Sequence, residues 1–170
     1  MLRKSTKGIN LSIVRIKFIG KRPEKHFNIL YPIIIAVLLI ICSADALAER
    51  LSTKVSLANI RSGPGTKYDI IWNVEKYHPV VVLEKSGPWY RFRDFEGDKG
   101  WIHKSLVGKI SSVITNKVKC NIRSGPGTNY DILFTVEDGI PFKVIKSKGN
   151  WIYIQHADGD RGWIHKSLVW

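Results

Sequence analysis

Three sets of residues in this chain of 170 could do chemistry. The first is nucleophilic. A cysteine peptidase needs a thiolate with a histidine to activate it, and Cys120 is the candidate thiol. The second is acidic or metal-binding: Asp94-Phe95-Glu96-Gly97-Asp98 has the look of a short calcium loop, and His103 and His165 recur. The third is aromatic. Tyr68, Trp72, Trp89 and Trp101 are followed 62 residues later by Tyr130, Phe134, Trp151 and Trp163, with Arg91 and Tyr153 beside them. Flat rings stack on sugar faces or peptide at low entropic cost, and Arg or Lys pairs with carboxylates.

The first two sets fail on their own terms. Cys120 has Ala58 as its counterpart, so the same position works without sulfur. Glycoside hydrolysis needs two carboxylates across a cleft, whereas the acids here sit in turns. The acidic run is too short for a calcium loop and lacks its terminal bidentate glutamate. The two histidines have no second ligand at a useful spacing. The expectation is therefore a protein with no catalytic residues, no metal and no cofactor. The aromatic set remains as the candidate ligand-binding residues: Tyr68, Trp72, Trp89, Arg91, Trp101, Tyr130, Phe134, Trp151, Tyr153 and Trp163. Each tryptophan has two readings, as packing that closes a small core or as a ligand contact. Arg61 and Arg123 likewise either bond loop carbonyls or pair with a ligand.

A duplication positions these residues. NIRSGPGT occurs at Asn59–Thr66 and Asn121–Thr128, and the register holds through Val107 and Val169 with 27 identities in 49 aligned positions. GWIHKSLV is unchanged between Gly100–Val107 and Gly162–Val169. A period of 62 suits two small domains in tandem. Units of this size bury little surface and need an efficient core, which favours a small closed barrel.

The charge is unevenly spread. Of 27 Lys and Arg, 8 lie in the first 25 residues; from Glu49 onward there are 19 against 12 Asp and Glu, or +7 of the total +13. Basic residues precede an apolar run from Ile29 to Cys42, and Ala46-Leu47-Ala48 suits cleavage before Glu49. Residues 1–48 therefore read as a signal peptide or as a retained membrane anchor, since the uncharged stretch Phe27–Ala44 reaches 18 residues. The mature chain is expected in the periplasm or secreted, or tethered to the inner membrane with its domains outside the cytoplasm. Membrane contact would come only through that segment. After cleavage Cys120 is the one cysteine, so no intrachain disulfide forms.

After Glu49 short alternating apolar runs lie between Gly, Pro, Asn and Asp clusters, the pattern of an all-β chain. Strands are expected at Val55–Ile60, Ile70–Val74, Val80–Lys85, Trp89–Arg93 and Gly100–His103, then a helical turn at Lys104–Leu106. Pro64-Gly65 suits the centre of a type II turn, and Glu96-Gly97 and Asp158-Gly159 suit hairpin turns. Alternation places Tyr90, Phe92, Ile102, Ile152, Ile154 and Ile164 toward the core, with Trp89 and Trp151 on the opposite face. The domains are expected at 49–108 and 117–170, joined by a linker at 109–116.

The motifs NIRSGPGT, G-x-W and GWIHKSL, in that order and twice, closely resemble the bacterial SH3-like domain family. The resemblance implies a small SH3-like β-barrel per copy, hence two tandem barrels behind the N-terminal segment. It also implies a non-catalytic exported module that engages peptidoglycan. Leu106 and Leu168 stand where the eukaryotic relatives carry a groove tyrosine, which sets aside proline-peptide binding of that kind. The alternatives are a scaffold for an envelope protein and a targeting subunit for a separate cell-wall hydrolase. Export argues against nucleic acid as a partner.

Overall fold

The computed structural model describes residues 49–170; the expected signal or anchor at 1–48 lies outside them. Among the described residues no helix is long and apolar enough to cross a membrane. The chain is all-β. The first repeat holds β1 (Arg50–Thr53), β2 (Leu57–Arg61), β3 (Ile70–Glu75), β4 (Pro79–Ser86), β5 (Trp89–Arg93), β6 (Lys99–His103) and the short β7 (Val107–Gly108). The second holds β8 (Ser112–Ile114), β9 (Cys120–Arg123), β10 (Ile132–Val136), β11 (Pro141–Lys148), β12 (Trp151–Gln155) and β13 (Arg161–His165). A single 3-10 turn follows β6 at Lys104–Leu106 and β13 at Lys166–Leu168.

The strands form two antiparallel sheets, ordered β3-β2-β6-β5-β4-β1-β7 and β10-β9-β13-β12-β11-β8. Neither ladder closes on itself, so the closed barrels expected from domain size appear as open sheets. Each sheet nevertheless wraps one core. Ile60, Val80, Phe92 and Ile102, from four strands of one sheet, share a single buried cluster, and side chains of one face meet that way only if the sheet coils strongly. Bulges between Val82 and Glu84, and between Val144 and Lys146, supply local bending. The second core, built on Ile122, Phe142, Ile154 and Ile164, trades volumes with the first: Val80 and Phe92 become Phe142 and Ile154.

Alternation placed the inward residues well. Phe92, Ile102, Ile154 and Ile164 are each 0% exposed. The strand Arg50–Thr53 was not read from the sequence, and its equivalent occupies the expected linker. Ser112–Ile114 pairs with β11, leaving only Lys109–Ser111 as connection. The reason is burial: Ser112 and Ile114 are buried in alternation, as a strand requires. Buried Thr53 and Thr115 tie these first strands down. Thr53 Oγ1 accepts from the His78 N–H at 2.9 Å and donates to the Glu75 carbonyl, and Thr115 does the same for Ile140 and Glu137.

The turns divide. Gly97 and Gly159 have φ of 96° and 111°, the left-handed region that the hairpin positions demand. Neither Gly63 nor Gly65 takes positive φ, so the expected type II turn does not form. Tyr68 lies against that loop instead, and glycine is needed there for clearance.

The first strands of the two repeats meet at one end, close to the connection. Ser52 Oγ lies 2.5 Å from Ser112 Oγ and donates to the Ile110 carbonyl at 2.9 Å. The Arg50 guanidinium stands 4.1 Å over the Trp170 ring.

Candidate functional site: a groove repeated in both halves

At one end of the first sheet, Asn59 and Arg61 from β2 and Thr66 from the following loop face Trp89, His103 and Ser105 across a groove. Leu57 and Leu106 complete it. Adding 62 to every number gives the second groove: Asn121, Arg123, Thr128, Trp151, His165 and Ser167, with Lys119 and Leu168. The correspondence covers all eight positions, and only Leu57 and Lys119 differ in type.

Local chemistry builds this wall. His103 ends β6, and its Nδ1 accepts from the Ser105 N–H at 3.3 Å and lies 2.7 Å from Ser105 Oγ. The imidazole thus caps the 3-10 turn in the way a Ser or Asp caps a helix. With Nδ1 as acceptor, the neutral ring carries its proton on Nε2. The His103 ring meets Trp89 edge-on at 5.2 Å, and His165 meets Trp151 at 5.3 Å. On the opposite side Arg61 Nη1 donates to the carbonyls of Thr66 and Tyr68 at 3.2 and 2.7 Å. Arg123 repeats this with Thr128 and Tyr130 at 3.1 and 2.7 Å. Both arginines hold the loop that forms the groove's rim, which is the carbonyl-bonding reading of the two.

The sequence profile described as the bacterial SH3 domain matches residues 54–109 and again 116–170, each span containing one complete groove. The chain belongs to the bacterial SH3 domain family. Two curated relatives align with part of this chain. A Bacillus subtilis protein named as an N-acetylmuramoyl-L-alanine amidase, YrvJ, is 30% identical over 122 residues, covering 65% of this chain and 23% of that protein. A Staphylococcus epidermidis protein named as a cell wall amidase, LytH, is 38% identical over 61 residues, covering 35% of this chain and 21% of that protein. The aligned parts thus span between a fifth and a quarter of these relatives. A solved NlpC/P60 family protein from Bacillus cereus has a TM-score of 0.36 at 12% identity, covering 72% of this chain and 56% of that one. That likeness is too weak to bear on function.

Within this tandem SH3 protein the ten sequence candidates separate into four places. Trp89 and Trp151 line the grooves. Trp89 is 9% exposed, so it offers little more than an edge; Trp151 is more open. Arg91 and Trp101 pair across β5 and β6 on an outer face, where Arg91 reaches Glu84 at 3.5 Å. Tyr153 and Trp163 occupy the same face of the second repeat, 5.2 Å apart under the Lys146 ammonium. Trp72 and Phe134 line separate clefts near the β5–β6 and β12–β13 turns. Tyr68 and Tyr130 lie on their loops, against Gly63 and Gly125.

Asn59, Thr66, Ser105 and their counterparts are absent from the sequence candidates, and His103 and His165 enter there only as metal ligands. The unchanged block GWIHKSLV was the available signal, because it carries His103 and Ser105 together. The remaining chemistry set has structural uses. Cys120 is fully buried, its Sγ lies 3.3 Å from the Lys117 carbonyl, and burial pushes the thiol up from its usual range. Asp94 Oδ1 accepts from the N–H groups of Glu96, Gly97 and Asp98 at 3.1, 3.0 and 2.9 Å, which shapes the turn.

Proposed function

We propose that this protein is a non-catalytic module of the cell envelope that engages peptidoglycan through its two grooves. The carrying observation is the groove itself, built twice from corresponding residues. Each offers a tryptophan edge, an imidazole, an asparagine and a hydroxyl, a set suited to hydroxyl- and amide-rich ligands. Relatives named as amidases, one of them as a cell wall amidase, support a cell-wall association. The buried, proton-retaining Cys120 favours a binding role over thiol catalysis. Two linked sites raise the effective concentration of the second contact on a polymer. The protein acts outside the cytoplasm, released or tethered by its N-terminal segment.

A second reading has its own observation. β3 and β10 are sheet edges and carry exposed apolar pairs, Ile70 with Ile71 and Ile132 with Leu133, each between 47% and 53% exposed. Such edges accept an added strand from a protein partner, as an envelope scaffold or a hydrolase-targeting subunit would need.

Co-sedimentation of the full chain with protein-free peptidoglycan sacculi across a salt series separates the two. Pelleting above that of an unrelated basic protein, reduced by Trp151→Ala, is the expected result. Absence of pelleting at low salt would overturn wall binding and leave the strand edges as the docking site.

A further inference from the structure

Away from both grooves, carboxylates gather in a chain that is otherwise positively charged. Trp72, Glu75, Glu96 and Asp98 line a cleft in the first repeat, and Asp138 reaches it from the second. Among the described residues none of these four carboxylates takes part in an ion pair. Carboxylate oxygens of Asp94, Glu96 and Asp98 lie within 4.8 Å of one another, which concentrates negative charge beside the partly buried Trp72 ring.

His78 gives a second and independent indication. It lines the same cleft, is 8% exposed, and its Nε2 is the one buried side-chain polar atom among the described residues without a hydrogen-bond partner. Burial pushes its pKa below the usual histidine range, with Asp94 opposing in part. Nothing among the described residues satisfies this nitrogen, which leaves an unpaired hydrogen-bonding atom in the cleft wall.

The second repeat shows the contrast. Its equivalent cleft keeps Phe134, Glu137, Asp158 and Asp160 but has Ile140 in place of His78. His156 stands where Asp94 was, and its Nδ1 lies 2.8 Å from Asp158 Oδ1. There an imidazole is paired with one of the acids; in the first cleft, among the described residues, His78 forms no ion pair with them.

We propose that the first cleft binds an organic cation, the ammonium or guanidinium of a basic peptide. The cation would sit beside Trp72, where a ring face attracts positive charge, with Glu75, Glu96, Asp98 and Asp138 as counter-charges. A calcium or magnesium ion is the poorer fit, since it wants six or more oxygen ligands and Asp94 Oδ1 is already committed to three backbone donors. The inference does not depend on what the grooves bind.

The test is calorimetric titration of the full chain at low salt with a capped Lys-Lys-Lys tripeptide. Binding is expected, weakening at least tenfold in Glu96→Gln/Asp98→Asn and in Glu75→Gln/Asp138→Asn. These exposed carboxylates are outside both cores, and circular dichroism checks that the variants are folded. His78→Ile, which installs the second repeat's own residue, should weaken binding while keeping the fold. No binding by the wild type, or binding that survives both double substitutions, overturns the proposal. Equal binding of a capped Glu-Glu-Glu tripeptide also overturns it, as does calcium binding that the same substitutions abolish and the lysine peptide does not displace.

Discussion

Gly63 and Tyr68 leave no room between them for one more carbon. A Cβ on Gly63 would lie 2.5 Å from Tyr68 Cε1 and 2.6 Å from its Cγ, and Gly125 stands in the same relation to Tyr130. The tyrosine ring therefore covers its own loop, while its carbonyl accepts the shorter of the Arg61 bonds. Gly63→Ala should expel the ring and loosen the Arg61 latch at a cost of about 1–3 kcal/mol. Gly65→Ala, where the nearest ring atom would be 3.4 Å away, should be milder. Thermal unfolding of both variants, with tyrosine near-UV dichroism, measures the contrast.

The two groove tryptophans should behave differently. Trp89 is nearly buried, so Trp89→Ala should cost about 3–5 kcal/mol and destabilise the first repeat. Trp151 is more exposed, and Trp151→Ala should leave the fold intact while lowering peptidoglycan binding. Urea unfolding combined with sacculus sedimentation checks both outcomes.

Lys119 gives the second groove a positive charge where the first has Leu57. Lys119→Leu should reduce the salt dependence of wall binding, because exposed charge pairs are screened by salt. The measurement is sedimentation between low and physiological ionic strength, with Leu57→Lys expected to increase the same slope.

Cys120 should resist thiol reagents. It is 0% exposed and its thiol is pushed up from the usual range by burial, so the thiolate is scarce and inaccessible. Labelling with a chromogenic disulfide should be slow in buffer and rapid in denaturant. Cys120→Ala should cost about 1 kcal/mol or less, because Ala58 fills the equivalent place in the first core.

His78 ties stability to pH. Its folded pKa lies below the ordinary 6.5, so below about pH 6.5 the unfolded chain takes up a proton that the folded chain refuses. Its contribution is present above pH 6.5 and declines as pH falls from there toward the lower folded pKa. His78→Ile should lose less stability between pH 7.5 and pH 5 than the wild type, measured by urea unfolding.

Much of the fold was legible because each core residue belongs to a short alternating run. The runs around Ile102 and Ile154 have period two, and burial follows that period, whereas in β5 Trp89 is buried from the face opposite Phe92, beside His103. Arg50–Thr53 and Ser112–Ile114 escaped notice because such short strands carry little periodicity; partners distant in sequence fix them. The expected Pro64-Gly65 type II turn does not form because the glycines make room for a ring five residues from Gly63, which turn chemistry does not register. The candidate site was legible only in part. Large aromatics drew attention by type, whereas Asn59, Thr66 and Ser105 acquire a role only by lying across from Trp89 and His103.

By itself the sequence determined the duplication, the all-β class, the inward faces and the family motifs, because these rest on identity and on local periodicity. The tertiary structure alone decided that Trp89 is set against His103 and Trp101 against Arg91, and that His103 caps a turn beside Trp89. It alone decided that Asp138 joins the acids of the other repeat. The physical reason is sheet coiling and the docking of the repeats: residues far apart in the chain share a surface only after long-range pairing has fixed which strands are neighbours.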